Sequence, residues 1–141
     1  MTPSHTAVSR ETLQQALGEL FAPWVQALDL QVERFEADSV TLRLPQNDQL
    51  ARVGGMLCGQ AMMAAADTAM VLALINHFGQ FRPCSTVQLS SSFMKPLSGQ
   101  DALVTARVLR AGKAMAFGEI DLSGADDGKS VFRASTTYAL M

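Results

Sequence analysis

The residue whose surroundings most demand a chemical explanation is Asp67. It stands among Met62, Met63, Ala64, Ala65, Ala66, Ala69 and Met70, and it is the sole formally charged residue between Arg52 and Arg82. A carboxylate in such company is costly to bury without a partner, and its place in mid-run removes helix N-capping as the reason for it. Two readings remain. Asp67 is a base or nucleophile held in a dry pocket, or it accepts a hydrogen bond from a serine or threonine on an overlying strand. Upstream lie Gly54, Gly55 and Gly59. A helix that begins near Gly59 would present free backbone N–H groups and the positive end of its dipole, and glycine lets a substrate approach the backbone closely. On their own these glycines fit a turn and a helix start. With a carboxylate two turns deeper they suit acyl chemistry, in which N–H groups polarise a carbonyl and an acid drives attack.

Other chemistries find little support. No His, Cys, Asp or Glu spacing suits a metal, and no cofactor is called for. There is no G-x-S-x-G, phosphate-binding loop or dinucleotide fingerprint. His5 falls in a terminal segment expected to fray, and His77 has a structural reading as a cation near a helix C-terminus. Eleven basic residues against thirteen acidic ones, a net charge of −2, make nucleic acid and anionic membrane poor partners. Two cysteines, Cys58 and Cys84, do not make a disulfide scaffold. A reducing cytoplasm and free thiols are expected, with no secretory signal in MTPSHTAVSRETLQQ. The apolar stretch Ala61 to Ile75, interrupted by Asp67 and Thr68, reads as too short and too polar to span a membrane, so a soluble protein is expected.

The elements that must position Asp67 follow from periodicity. At 141 residues, 48% hydrophobic and 17% charged, the chain fits one domain over 1–141 with a real core. Residues 9–20, within an N-terminal helical segment 1–22, form a short amphipathic helix with Ser9 as N-cap and Leu13, Leu17 and Leu20 on one stripe. Strands are expected at about 28–35 and 38–45, then a loop at 46–55. A helix runs over 59–78 and stops at Gly79. Being apolar on nearly every face, it should be surrounded by protein. Four long strands follow at about 84–95, 101–111, 114–123 and 130–140, with Val87, Leu89 and Phe93 alternating onto one face. The fold class is α+β: a long antiparallel sheet curled around one central helix.

The stretch Gly55-Met56-Leu57-Cys58-Gly59-Gln60-Ala61-Met62-Met63-Ala64-Ala65-Ala66-Asp67-Thr68-Ala69 resembles the central-helix motif of hotdog-fold acyl-CoA thioesterases, especially the phenylacetic-acid-degradation (PaaI-like) type. The resemblance continues through Ser85–Pro96, Val108–Lys113 and Asp127–Lys129, and covers roughly residues 25–140. It implies a hotdog fold and hydrolysis of an acyl-CoA to a free acid and coenzyme A. It casts Asp67 as the catalytic carboxylate, Gly59 as the source of the polarising N–H, and Thr86 as the hydroxyl that positions water, with Ser85 beside it as a less favoured substitute. It also implies a homodimer or homotetramer with the site between subunits, so that Asp67 of one chain meets Thr86 of the other.

The chain departs from that motif in places. Cys58 stands where the family has histidine, Gln60 where it has a second glycine, and Arg52 where relatives often carry asparagine. Cys58 is either a thiol at a helix start or a small buried side chain. Gln60 either donates its amide toward the carbonyl or faces solvent. Arg110, Lys113 and Lys95 are candidates for the coenzyme phosphates, against a plain role in solubility. Two other functions compete: a non-catalytic acyl-CoA-binding module, and a hydratase or dehydratase. The second lacks a histidine at a useful spacing, His77 being ten residues beyond Asp67. The alanines and methionines of the helix fit either an aromatic or a medium aliphatic acyl group.

Overall fold

The computed structural model describes residues 8–141, so His5 lies outside the described residues. Helix α1 (Arg10–Glu19) opens where Ser9 Oγ accepts from the Thr12 N–H at 3.1 Å, and it buries Leu13, Ala16 and Leu17. The side chain of Gln14 ties it to the sheet, donating to the Leu30 carbonyl and accepting from the Val32 N–H. A single turn, α2 (Pro23–Gln26), follows with proline in its first turn. It is too short to leave a periodic signature and was not expected.

The sheet has six strands: β1 (Gln31–Phe35), β2 (Ser39–Leu44), β3 (Cys84–Phe93), β4 (Ala102–Ala111), β5 (Met115–Gly124) and β6 (Ser130–Leu140). They lie in the order β1-β2-β4-β5-β6-β3, each pair antiparallel. Both β1 and β3 are therefore edges. Along β4, Ala102, Val104, Ala106 and Val108 turn inward, and along β6 Phe132, Ala134, Thr136, Tyr138 and Leu140 do the same.

The inner face wraps helix α3 (Gly59–Phe78), whose bounds match the expectation. Gly79 ends it in the left-handed region, at φ 79°, with its N–H bonded to the Ile75 carbonyl at 2.8 Å. Ala65, Ala66, Ala69 and Ala73 are fully buried, and their small side chains let the sheet come close. By length and composition the 20 residues of α3 could cross a membrane, contrary to the shorter apolar stretch considered above. Two-thirds of it is buried inside the protein, as a core helix should be.

Two expectations need correction. The helix is not covered on every face: Gln60, Met63, Ala64, Asp67 and Val71, at helical spacing, remain exposed or half-exposed, Met63 to 38%. Within one chain the sheet covers the rest and leaves this stripe open. The alternation along β3 is also interrupted. The register against β6 slips between Thr86 and Gln88, and Val87, expected inside, is 59% exposed. A bulge absorbs one residue and reverses the facing of everything beyond it.

Candidate active site

That bulge decides which side chains reach α3. Thr86 and Phe93 are seven residues apart and would point to opposite faces of a regular strand. With the extra residue at the bulge, both face the helix. Thr86 meets Asp67, and the Phe93 ring lies on the helix start at Gly59.

Thr86 on β3 is directly opposite Tyr138 on β6. Their hydroxyls converge on one oxygen of Asp67. Thr86 Oγ1 donates to Asp67 Oδ1 at 2.8 Å, and the Tyr138 hydroxyl donates to the same Oδ1 and to the main-chain carbonyl of Asp67, the latter at 2.9 Å. Among the described residues no donor reaches Oδ2. The carboxylate is thus fixed in rotation through one oxygen while the other stays open on the uncovered stripe of α3.

Tyr138 is 1% exposed. Burial, and then the negative charge of Asp67, hold its phenol far above the ordinary tyrosine range, so it stays a donor. Cys84, at the start of β3, is half-buried, and burial followed by the Asp67 charge pushes its thiol up as well. A neutral thiol there is no nucleophile.

Two expectations about Asp67 change. It is half-buried rather than enclosed, because β3 and β6 cover only one side of it. Thr86 reaches Asp67 within the same chain, not from a second one, because β3 flanks its own α3. The structural reading of Asp67, acceptor for a threonine on an overlying strand, therefore holds for Oδ1. Oδ2 is left to the chemical reading.

Gly59 is not beside Asp67. Eight helical steps separate them, about 12 Å at 1.5 Å per residue. Cys58 is the half-buried N-cap and makes no side-chain cap bond, and Gln60 is exposed. A β carbon at residue 59 would lie 3.1 Å from the Phe93 ring, so glycine here also makes room for that ring. Beside Gly59 opens a pocket of about 400 Å³, lined by Met56, Leu57, Met62 and Phe93 with Arg52 and Lys95. Its outer wall is a tight loop in which the Arg52 N–H bonds the Met56 carbonyl at 2.8 Å, and Gly54 and Gly55 take φ of 99° and 83°. The loop is pinned to the helix start by the Cys58 N–H, which bonds the Leu50 carbonyl.

The remaining candidates lie elsewhere. Ser85 is exposed, paired with Ala139, and follows the strand's alternation away from Asp67. Arg110 and Lys113 are exposed at the end of β4 and in the turn after it, where Arg82 donates to the Lys113 carbonyl. Neither lines the pocket at Gly59. His77 packs edge-on against Phe78 near the end of α3, remote from Asp67 in the helix. Among the described residues, no group of three or more His, Cys, Asp or Glu could hold a metal ion. Tyr138 was not anticipated. Its signal was available: a tyrosine on the inward register of β6 needs a partner for its hydroxyl, and Asp67 is the one charged residue of the core helix.

Residues 45–139 match the family model described as the acyl-CoA thioesterase N-terminal domain. The chain belongs to this acyl-CoA thioesterase family. An archaeal protein of Thermoplasma acidophilum named as an esterase is 23% identical over 116 residues, covering 82% of this chain and 86% of its own. Among solved structures, a Silicibacter protein named as a thioesterase is 28% identical with a TM-score of 0.85, over 95% of this chain and 92% of its own. Zebrafish thioesterase superfamily member 2 has a TM-score of 0.85 at 23% identity, over 96% of this chain and all of its own, and shares the hotdog fold. The chain is a hotdog-fold thioester hydrolase.

Proposed function

We propose that this thioesterase hydrolyses an acyl-CoA to a free acid and coenzyme A, as a member of the PaaI-like branch, with Asp67 acting through Oδ2. The observation that carries the reading is the asymmetry of that carboxylate, one oxygen held by two hydroxyls and the other open. As a base, Oδ2 takes a proton from water while the water oxygen bonds to the thioester carbonyl carbon. The C–S bond then breaks, the proton held on Oδ2 passes to the departing sulfur, and coenzyme A leaves as a thiol with the carboxylate restored. As a nucleophile, Oδ2 bonds to the carbonyl carbon and expels the thiolate, and water cleaves the resulting anhydride. Thr86 and Tyr138 are positioning residues. Thr86 Oγ1, its proton committed to Asp67, keeps lone pairs that can accept from the attacking water.

The polarising N–H is that of Gly59, and this makes the site a property of two chains. A donor sits about 3 Å from the carbonyl oxygen and the attacking group about 3–3.5 Å from its carbon. The helical span between Gly59 and Asp67 exceeds that reach. Pairing two copies along the open stripe of α3 and the free edge of β3 would cover both and set Gly59 of one protomer against Asp67 of its partner. A homodimer, alone or paired into a homotetramer, follows. Cys58 and Gln60 border the carbonyl end. Arg110 and Lys113, with Ser85 on the same side of the sheet edge, offer donors to the coenzyme. The free cysteines suit a cytoplasmic enzyme.

Thiol release from short, medium, long and aromatic acyl-CoAs tests the reading, with Asp67→Asn run alongside. Loss of the carboxylate should lower kcat/KM by about 10²–10⁴. Near-full activity in the variant would sink the mechanism.

A further inference from the structure

The pocket beside Gly59 has a lopsided charge. Its walls hold two cations, Arg52 and Lys95, and no carboxylate. Elsewhere on the sheet Arg43 is matched with Glu33 and Asp101, both at 3.0 Å, Arg107 with Asp38 at 3.1 Å and Arg133 with Asp121 at 3.6 Å. Arg34 and Arg110 join no ion pair among the described residues, but they do not line this pocket. Among the described residues neither Arg52 nor Lys95 joins an ion pair. The Arg52 guanidinium rests on its own loop, donating to the Val53 carbonyl at 3.2 Å and to the Met56 sulfur at 3.4 Å. A thioether is a weak acceptor, so most of its donor capacity is uncommitted. The Lys95 ammonium makes no hydrogen bond among the described residues. Two uncommitted cations thus line one apolar pocket, in a chain whose net charge is −2.

We propose that this pocket receives the acyl arm of the substrate, and that Arg52 and Lys95 select an acyl group ending in a carboxylate. The preferred substrate is then the monothioester of a dicarboxylic acid. The inference rests on the reading above, with the thioester carbonyl at Gly59. From that point a chain entering the pocket runs between Met56, Leu57, Met62 and Phe93, surfaces that suit methylene groups. The coenzyme arm fits worse, because its two amides need hydrogen-bond partners that these side chains do not supply. A volume of about 400 Å³ lies within the range of small-molecule sites. An acyl chain that lies on the apolar wall and ends in an anion has two uncommitted cations lining the same pocket, and arginine can take a carboxylate with two parallel hydrogen bonds.

The test compares chains of equal carbon number: glutaryl-, adipyl- and suberyl-CoA against pentanoyl-, hexanoyl- and octanoyl-CoA. The native enzyme should favour the acid-ended member of at least one pair in kcat/KM. Arg52→Gln and Lys95→Gln should each cut that preference about tenfold, mostly through KM, and Arg52→Glu should reverse it. Equal turnover of both series by the native enzyme overturns the proposal and leaves the hydrolase standing. A loss in Arg52→Gln that is the same for both series, and that vanishes with acyl-pantetheines lacking the nucleotide, also overturns it by giving Arg52 to the coenzyme phosphates. Calorimetry with the non-hydrolysable thioethers of adipyl- and hexanoyl-CoA separates this inference from the reading beneath it. Tighter binding of the adipyl compound by a protein that turns over neither series supports the selectivity while overturning the hydrolase mechanism. Equal binding of both overturns the selectivity.

Discussion

The middle of α3 and its N-terminal end are built on opposite principles. Around Asp67 the polar groups are committed: two hydroxyls from neighbouring strands meet one carboxylate oxygen, and the tyrosine that supplies one of them is almost wholly buried. Around Gly59 they are not. The N-cap side chain makes no bond, the two cations that line the pocket have no acid, and the walls are flexible methionines and a half-exposed phenylalanine. A preorganised group that acts on every substrate belongs in the first setting, where nothing has to rearrange as charge develops. A surface that must fit one acyl group belongs in the second, where ligand atoms complete the unmet contacts. On the proposed reading, one chain thus holds its carboxylate and its acyl-fitting surface about two turns apart on the same helix.

The largest expected effect after that of Asp67→Asn breaks the contrast at its uncommitted end. Gly59 is the first residue of α3, and the backbone of Cys58 before it is extended, at φ −73° and ψ 150°. Proline is tolerated at such a position and suits an extended predecessor, so Gly59→Pro deletes the N–H while keeping the helix, with a small shift of the Phe93 ring. Removing one carbonyl-polarising donor should cost about 10²–10³ in kcat. Mixing this variant with Asp67→Asn, after dissociation and reassociation, sharpens the point. If the site joins Gly59 of one protomer to Asp67 of its partner, half of the pairs are mixed and each regains one intact site, about a quarter of native activity. A site confined to one chain recovers nothing on mixing.

How much of this was legible in the residues differs between the two regions. The bounds of α3 were readable because Gly59 and Gly79 bracket an uninterrupted run of good helix formers. The four long strands were readable from their turns. Asp67 was conspicuous as a lone charge, and the structural reading of it is met at Oδ1, with Oδ2 left open. Half of the cradle that holds it was readable, since the resemblance names Thr86 as the hydroxyl at the site, but that Thr86 turns to Asp67 of its own chain was not, because this depends on a bulge. Strict alternation puts Val87 inside and Thr86 outside, and the extra residue exchanges them. Tyr138 was missed because its partner lies 71 residues away and only the pairing of β3 with β6 brings both to one carboxylate. At the other end, the charge imbalance of the pocket needed three-dimensional neighbours, since Arg52 and Lys95 are far apart in the chain and lie on different segments.

Effects on the committed region should be smaller and of a different kind. Tyr138→Phe removes one anchor of Oδ1 and leaves Thr86 in place. The expected loss is about tenfold in kcat with KM little changed, the scale of one hydrogen bond to a charged group. An equal rise in KM would mean that Tyr138 touches substrate.

The smallest effect is on stability at alkaline pH. The Tyr138 phenol is held above its unfolded value, near 10, so between that value and its folded one the native chain keeps a proton that the unfolded chain has lost. Stability from this source is complete below about pH 10 and falls as pH rises, by at most about 1.4 kcal/mol per unit. The thiol of Cys84, raised in the same sense, begins its own decline from about pH 8.5. In Tyr138→Phe the first decline is absent and the second remains. Urea midpoints measured from pH 8 to 11 should therefore keep a constant offset between the two proteins up to the ordinary tyrosine range, with the native curve the steeper beyond it. Parallel curves throughout would mean that the phenol titrates alike in the folded and unfolded chains, and that burial beside Asp67 does not hold its proton.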